Sequence, residues 1–278
     1  MEARKAKHGW IWTTLFSVIS VAWVFPIFLV VLNSFKKKVY ISKKPFAIPT
    51  GKMFVGLENY VNGINKTGLI SAFGWSVFIT VFSVAAIILF CSMTAWYITR
   101  VKSKVTSTIY YLCLFSMIVP FQMVMYTLSK IANMLKLGNP VGIIVVYLGF
   151  GAGLSVFMFT GFCKSIPIEI EEAAMIDGCN PLQTFFKVVM PIMKPTCITV
   201  TILQAMWIWN DFLLPNLIIN RAGWQTLPLK TYLFFGQFTK NWDLATAGLI
   251  LCMVPIIIFY VVCQRYIVKG VTDGAVKG

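Results

Sequence analysis

The 278 residues are 58% hydrophobic and only 12% charged, with a mean hydropathy of +0.80. A soluble domain carries about a quarter charged residues, so this chain lacks the polar surface that water demands and reads as an integral membrane protein. Its net charge of +15 would suggest nucleic acid in a soluble protein; in a membrane chain anionic lipid is the simpler counterion, and no nucleic-acid partner is expected.

Apolar runs long enough to cross a hydrocarbon core of about 30 Å fall at 10–33, 71–98, 106–128, 141–163, 196–219 and 244–264. The expectation is a single all-α transmembrane domain over 1–278 with six spans. The first run follows Arg4, Lys5 and Lys7. It is too long for a signal-peptide core and has no small-residue cleavage site, so it is read as a retained helix. Between the first two spans lies a loop at 36–70 containing Gly56-Leu57-Glu58-Asn59-Tyr60. Span three holds Val119-Pro120-Phe121-Gln122 and Tyr126-Thr127. Span four carries Gly149 and Gly153 in G-x-x-x-G spacing with Gly151 between them, a pattern for close helix packing or, less simply, a hinge.

The polar segment 164–195 is the most informative stretch. Pro167 suits a helix first turn, and Glu169, Glu171 and Glu172 favour its positive end. Gly178 can end that helix in a left-handed turn, and Asn180 with Pro181 can start another. Leu182, Phe185, Phe186 and Val189 then form an i, i+3, i+4, i+7 stripe, and Pro191 and Pro195 are expected to break the chain before span five. Two short helices joined by a sharp bend would lie at the membrane surface and could enter a groove on a partner; an ordinary interfacial linker is the plainer alternative.

Span five offers Trp207, Trp209, Asn210 and Asp211, the last being the one carboxylate well inside any span. Aromatic rings and polar groups there could face a sugar, or Asp211 could bond a neighbouring helix. Trp224 to Lys230 form the next connector, and a tail covers 265–278.

Much chemistry is missing. One histidine, His8, cannot build a His-dependent triad or a multi-histidine metal site. The chain has no phosphate-cradling G-x-x-x-x-G-K-[ST] run and no G-x-S-x-G elbow. The seven cysteines lack C-x-x-C spacing and read as small buried hydrophobes. Asn65-Lys66-Thr67 is a sequon of little weight. A lone intramembrane carboxylate is thin support for an ion-coupled carrier, so the energy for transport is expected from outside the chain. The 24 Lys and Arg divide evenly between the two sides, so charge does not set the orientation.

Glu172-Ala173-Ala174, Gly178 and Val188-x-Met190-Pro191 resemble the loop motif of ABC-importer permeases: E-A-A, three residues, G, nine residues, I-x-L-P. The Gly-Leu-Glu-Asn-Tyr run, Val119 to Gln122, Trp209-Asn210-Asp211, Gln264-Arg265-Tyr266 and the ending Gly274 to Gly278 are similar to the maltose-type carbohydrate branch. Tyr126-Thr127, where an apolar residue and a proline would be expected, departs from it. The resemblance implies a type I importer permease fold with a cytoplasmic coupling loop between spans four and five, and both termini in the cytoplasm. It implies coupling residues Glu171, Glu172, Ala173, Ala174, Asp177, Gly178 and Pro191, and a tail contact through Val276, Lys277 and Gly278. The implied partners are a second homologous permease, two ATPase subunits and an extracellular solute-binding protein. ATP and Mg would be bound by the ATPase, with no cofactor on this chain.

Overall fold

The computed structural model describes residues 9–219, 221, 223–236 and 240–275, with side chains except at Lys66 and 265–275. The described elements are helical, and the only β-type pairing among them is an isolated bridge between Lys36 and Phe54. Contacts divide the chain into two units: the residues up to Leu69 with Lys230–Val254, and Ile70–Leu229 with the residues from Pro255 onward.

In the first unit, α1 (Gly9–Ser34) is apolar on every face and almost wholly exposed, as a lipid-facing helix would be. After it come α2 (Lys38–Lys43), a 3₁₀ turn at Gly51–Met53 and α3 (Glu58–Thr67). Lys36 organises this loop. Fully buried, its Nζ donates to Asn33 Oδ1 at 2.9 Å, Lys44 O at 2.9 Å and Pro45 O at 3.1 Å. Burial pushes its ammonium below the ordinary lysine value. Asn59 Nδ2 donates to Ser34 O at 2.8 Å and Lys36 O at 2.9 Å, and the Tyr60 hydroxyl meets Ser34 Oγ at 2.6 Å. The Gly-Leu-Glu-Asn-Tyr run is therefore a clamp on the end of α1.

The second unit begins in α4 (Leu69–Arg100), which continues as one helix across the second predicted span. Span three is not continuous. It forms α5 (Lys104–Ile118) and α6 (Phe121–Met134), bent by 112°. Pro120 has no N–H to give and drives Val119 into extended geometry, at φ −75° and ψ 116°, which stops α5. α7 (Pro140–Cys163) starts where Asn139 Oδ1 accepts from Val141 N and Gly142 N. Next come α8 (Ile168–Ile176), α9 (Pro181–Thr184), a π-helical turn at Phe185–Val189 and α10 (Met190–Ile192). Span five is likewise divided, into α11 (Lys194–Asn210) and α12 (Leu213–Ile218). α13 (Leu227–Tyr232) and α14 (Trp242–Ala275) complete the chain; the sixth helix outruns its predicted end at 264. Four helices are long and apolar enough to cross a membrane alone: α1, α4, α7 and the first part of α14. Among the described residues two bent pairs, α5 with α6 and Pro181–Ile192 with α11, bring the number to as many as six if each pair is one span.

The core of the second unit centres on α7, with Ile143, Tyr147, Val156 and Phe159 buried against Ile79 and Ile87 of α4. Of Gly149, Gly151 and Gly153, the last two make a close approach to another helix. A Cβ on Gly151 would lie 2.5 Å from Ile87 Cδ1, and one on Gly153 would lie 2.8 Å from Cys113 O and 2.5 Å from Met117 Cγ. Gly149 faces open space, so the packing pair is Gly151 and Gly153 rather than the G-x-x-x-G pair. Gly153→Ala would push α5 off α7, and we expect it to cost about 1–3 kcal/mol. Gly149→Ala should stay within about 0.5 kcal/mol of wild type. Thermal unfolding of the detergent-solubilised chain separates the two.

Candidate functional site

The loop between α7 and α11 is built by local rules. Pro167, at φ −58° and ψ 135°, precedes α8, whose first turn carries Glu169 and Glu171. At the far end Cys179 N donates to Ala174 O and Gly178 N to Met175 O, both at 3.0 Å, while Gly178 sits at φ 90°. This is a Schellman stop, and it demands glycine for backbone conformation alone, because nothing lies within 4 Å of a Cβ there. Asn180 and Gln183 form a reciprocal capping box, 2.9 and 3.0 Å.

The expected break at Pro191 does not occur there. The preceding turn widens to π geometry, which accommodates the missing Pro191 N–H, and the helix continues to Ile192 before bending 77° into α11. Pro195 occupies the first turn of α11, so the expected break before span five falls between the two prolines. The apolar stripe divides as well. Phe185 and Val189 are fully buried, whereas Leu182 and Phe186 are exposed.

Of the expected coupling residues, Glu172, Ala173, Asp177, Gly178 and Pro191 lie exposed, and Ala174 is buried. Glu171 turns inward and is 1% exposed. Its Oε1 accepts from Arg100 Nε at 2.9 Å and Nη2 at 2.6 Å, and its Oε2 accepts from Trp96 Nε1 at 2.9 Å. Arg100 Nη2 also donates to Ile166 O at 2.9 Å. The Trp96 ring packs on Phe185, centroids 5.4 Å apart. Glu171 is thus an internal anchor, not a free surface acid. Sequence reasoning missed Trp96 and Arg100; the available signal was a cation at the end of span two that a buried loop carboxylate could reach. Beside Glu172 the outward face shows Met175, Leu182 and Phe186, with Ile176 86% exposed, an apolar surface with acidic neighbours.

The span-five residues do not form one cluster. Trp207 is 41% exposed, and its ring meets Tyr147 edge-on with centroids 5.5 Å apart. The Tyr147 hydroxyl donates to Asp211 Oδ2 at 3.1 Å, and Asp211 Oδ1 accepts from Leu213 N at 2.9 Å. Asp211 therefore caps α12 and ties it to α7. Asn210 is exposed, with Nδ2 donating to Met206 O at 2.8 Å. Trp209 points the other way. It is buried edge-on against Phe73 and lines an apolar cavity of about 680 Å³ with Val77, Ala205 and Phe259. Val276, Lys277 and Gly278 lie outside the described residues.

The sequence profile of the binding-protein-dependent transport system inner membrane component family matches residues 88–273. The chain belongs to this family. It is accordingly a multi-pass inner-membrane component of a transport system. Members similar to it include the probable starch degradation products transport system permease protein AmyC of Thermoanaerobacterium thermosulfurigenes, 40% identical over 95% of this chain and 96% of that one. The multiple sugar-binding transport system permease protein MsmG of Streptococcus mutans is 34% identical over 99% of both. The melibiose/raffinose/stachyose import permease protein MelC of Bacillus subtilis is 30% identical over the full length of both. Among solved structures, a chain of a bacterial ABC transporter involved in the import of the polysaccharide alginate superposes with a TM-score of 0.75. It is 21% identical and covers 96% of this chain and 99% of its own. That likeness assigns the type I importer-permease fold.

The anchor makes a quantitative prediction. Glu171→Ala leaves the Arg100 guanidinium without its carboxylate and should destabilise the protein by about 3 kcal/mol. Arg100→Ala should cost a similar amount, and the double variant less than the sum. Unfolding of the three purified variants tests the coupling.

Proposed function

We propose that this chain forms half of the translocation pathway for a sugar or oligosaccharide. An extracellular binding protein delivers the solute, a second homologous permease completes the pathway, and two ATPase subunits on the cytoplasmic side supply the energy. The observation that carries the reading is the α8 loop. Glu171 is locked inward by Arg100 and Trp96, so Glu172, Ala173 and Ile176 are held outward on a helix of fixed rotation. An outward apolar face beside Glu172 supports insertion into a cleft of an ATPase, and in this reading α8 and both termini are cytoplasmic. Ala173 allows close approach, and Glu172 offers a carboxylate to a donor on the partner. ATP and Mg belong to that partner, and this chain contributes no cofactor. The tail, with Val276, Lys277 and Gly278, is proposed as a second contact with the ATPases.

The carbohydrate assignment draws support from the names of the relatives, which include starch products, multiple sugars and melibiose-type oligosaccharides. Trp207 and Asn210 are the residues of α11 that we assign to the solute pathway. A half-exposed indole held by Tyr147 offers a flat face to a pyranose ring, and Asn210 offers an amide to its hydroxyls. Asp211 positions them through Tyr147 and the start of α12. Trp209 belongs to the buried side.

Two outcomes are expected. In the co-expressed complex, Glu172→Lys and Gly178→Asp should each lose ATPase co-purification and solute-stimulated ATP hydrolysis while the permease stays folded. Retention with unchanged hydrolysis in both variants would refute the coupling assignment. Trp207→Ala should keep the ATPase bound and yet lower oligosaccharide uptake into proteoliposomes by about tenfold, the loss of about 1.4 kcal/mol of binding. Unchanged uptake would remove Trp207 from the pathway.

A further inference from the structure

Beside the coupling loop, on its own side of the second unit, lies a polar cavity of about 690 Å³ between the end of α4, the start of α5 and the end of α7. Arg100, Lys102 and Lys164 line it, with Ser107, Thr160 and Tyr110 among the polar groups. Arg100 is committed to Glu171. Lys102 and Lys164 form no ion pair among the described residues, and Lys164 Nζ stands 5.9 Å above the Tyr110 ring centroid. Two cations therefore converge on a space that holds no carboxylate of its own, since the neighbouring Glu171 is already neutralised.

A second observation is independent of charge. Thr160 lines the same cavity, is 2% exposed, and its hydroxyl has no hydrogen-bond partner. Thr99, by contrast, bonds the preceding turn at Ala95 O, 2.7 Å away; Thr184 shares the open hydroxyl but lines no basic cavity. A buried hydroxyl left open costs about 1–3 kcal/mol, which an acceptor oxygen in the cavity would relieve. With the two cations beside it, the open hydroxyl favours an oxyanion as occupant.

The cavity also has an apolar continuation. Tyr111 of its lining, Phe115 and Ile118 are exposed at i, i+4 and i+7 along α5, a row that runs away from the basic end. A free phosphate has no use for such a track, but an acyl chain does. The basic groups stand where α4 and α7 end, the level at which headgroups lie.

We propose that this cavity binds the phosphate of an anionic glycerophospholipid, with Lys102 and Lys164 pairing the charge, Thr160 donating to a phosphate oxygen and an acyl chain lying on Tyr111, Phe115 and Ile118. Because Arg100 and Ile168 of α8 also line the cavity, the bound headgroup braces the base of the α8 loop. The site requires only that the chain be a membrane protein, so it stands or falls separately from the ATPase-docking assignment.

The test is native mass spectrometry of the co-expressed, detergent-solubilised complex titrated with phosphatidylglycerol, phosphatidylcholine or inorganic phosphate. Wild type should retain phosphatidylglycerol in preference to phosphatidylcholine. Lys102→Ala with Lys164→Ala should lose one retained lipid per complex, with affinity down about tenfold or more. Thr160→Val, which keeps the side-chain shape, should weaken retention several-fold, and Lys102→Arg with Lys164→Arg should restore it. Equal retention of phosphatidylcholine, or unchanged adducts in both the double alanine variant and Thr160→Val, would overturn the proposal. Displacement of the lipid by excess inorganic phosphate would assign the cavity to a free anion and refute the lipid. Should the alanine pair misfold, the Thr160→Val and arginine variants decide the question alone.

Discussion

The Arg100–Glu171 pair is the constraint on which the loop geometry depends. α8 has nine residues, too few to hold a helix in water on its own, and it buries little beyond Glu171 and Ala174. A buried ion pair is a weak source of net stability, because desolvation offsets most of the attraction. What it supplies here is direction. Both carboxylate oxygens are used, one by the guanidinium and one by the Trp96 indole, and the guanidinium also holds Ile166 O. With residues 171 and 174 fixed inward, the i, i+3 geometry of the helix turns 172, 173 and 176 outward. A hydrophobic anchor would hold the loop as tightly but would leave its rotation less defined.

Local features of this architecture were legible in the sequence, and non-local ones were not. The Gly178 stop and the Asn180 cap depend on residues within a few positions, so their pattern is complete in the string. The apolar runs were legible because length and hydropathy suffice, but the breaks inside spans three and five and the extension of α14 were not. The facing of each span was not, since an apolar helix in lipid carries no polar stripe to mark its buried side. That is why Gly149 looked equivalent to Gly153 although only the latter meets a neighbour. Glu171 was misread for a related reason: an acidic residue in a helix first turn is favoured by the dipole whether it points in or out. Lys36 was counted as an outer charge, yet it is wrapped in three oxygen acceptors. An even division of charges therefore overstated the solvated charge on that side.

Two broken spans share one logic. Within a bilayer every freed backbone group must find a partner inside the protein. At Pro120 the break arises from a missing donor and a steric clash, and α6 leaves at 112°. At Asp211 it arises from a competing acceptor, a carboxylate that takes the first free N–H of α12 and the Tyr147 hydroxyl together. The two departing helices, α6 and α12, pack on one another. Each break thereby supplies the other with a surface, and neither short helix depends on lipid alone for its burial.

The same geometry gives the proposed coupling a mechanical route. α11 begins at the Met193 bend, where the loop joins it, and ends at Asn210, one residue before Asp211. Met193 is fully buried, with its sulfur 3.6 Å from Cys163 Sγ at the end of α7. Seventeen residues make a rod of about 25 Å with no internal proline beyond its first turn. A rod fixed at one end to the loop and at the other to the Tyr147–Asp211 contact cannot bend gradually. It tilts or stays. A displacement of α8 by an ATPase would then reach Trp207 and Asn210 as a change of angle rather than as diffuse strain, and the weak points are the two bends at its ends. Packed helices with discrete arrangements amplify small shifts in this way, and the buried pair at Arg100 ensures that a push on α8 moves the loop as a body instead of merely rotating the helix in place.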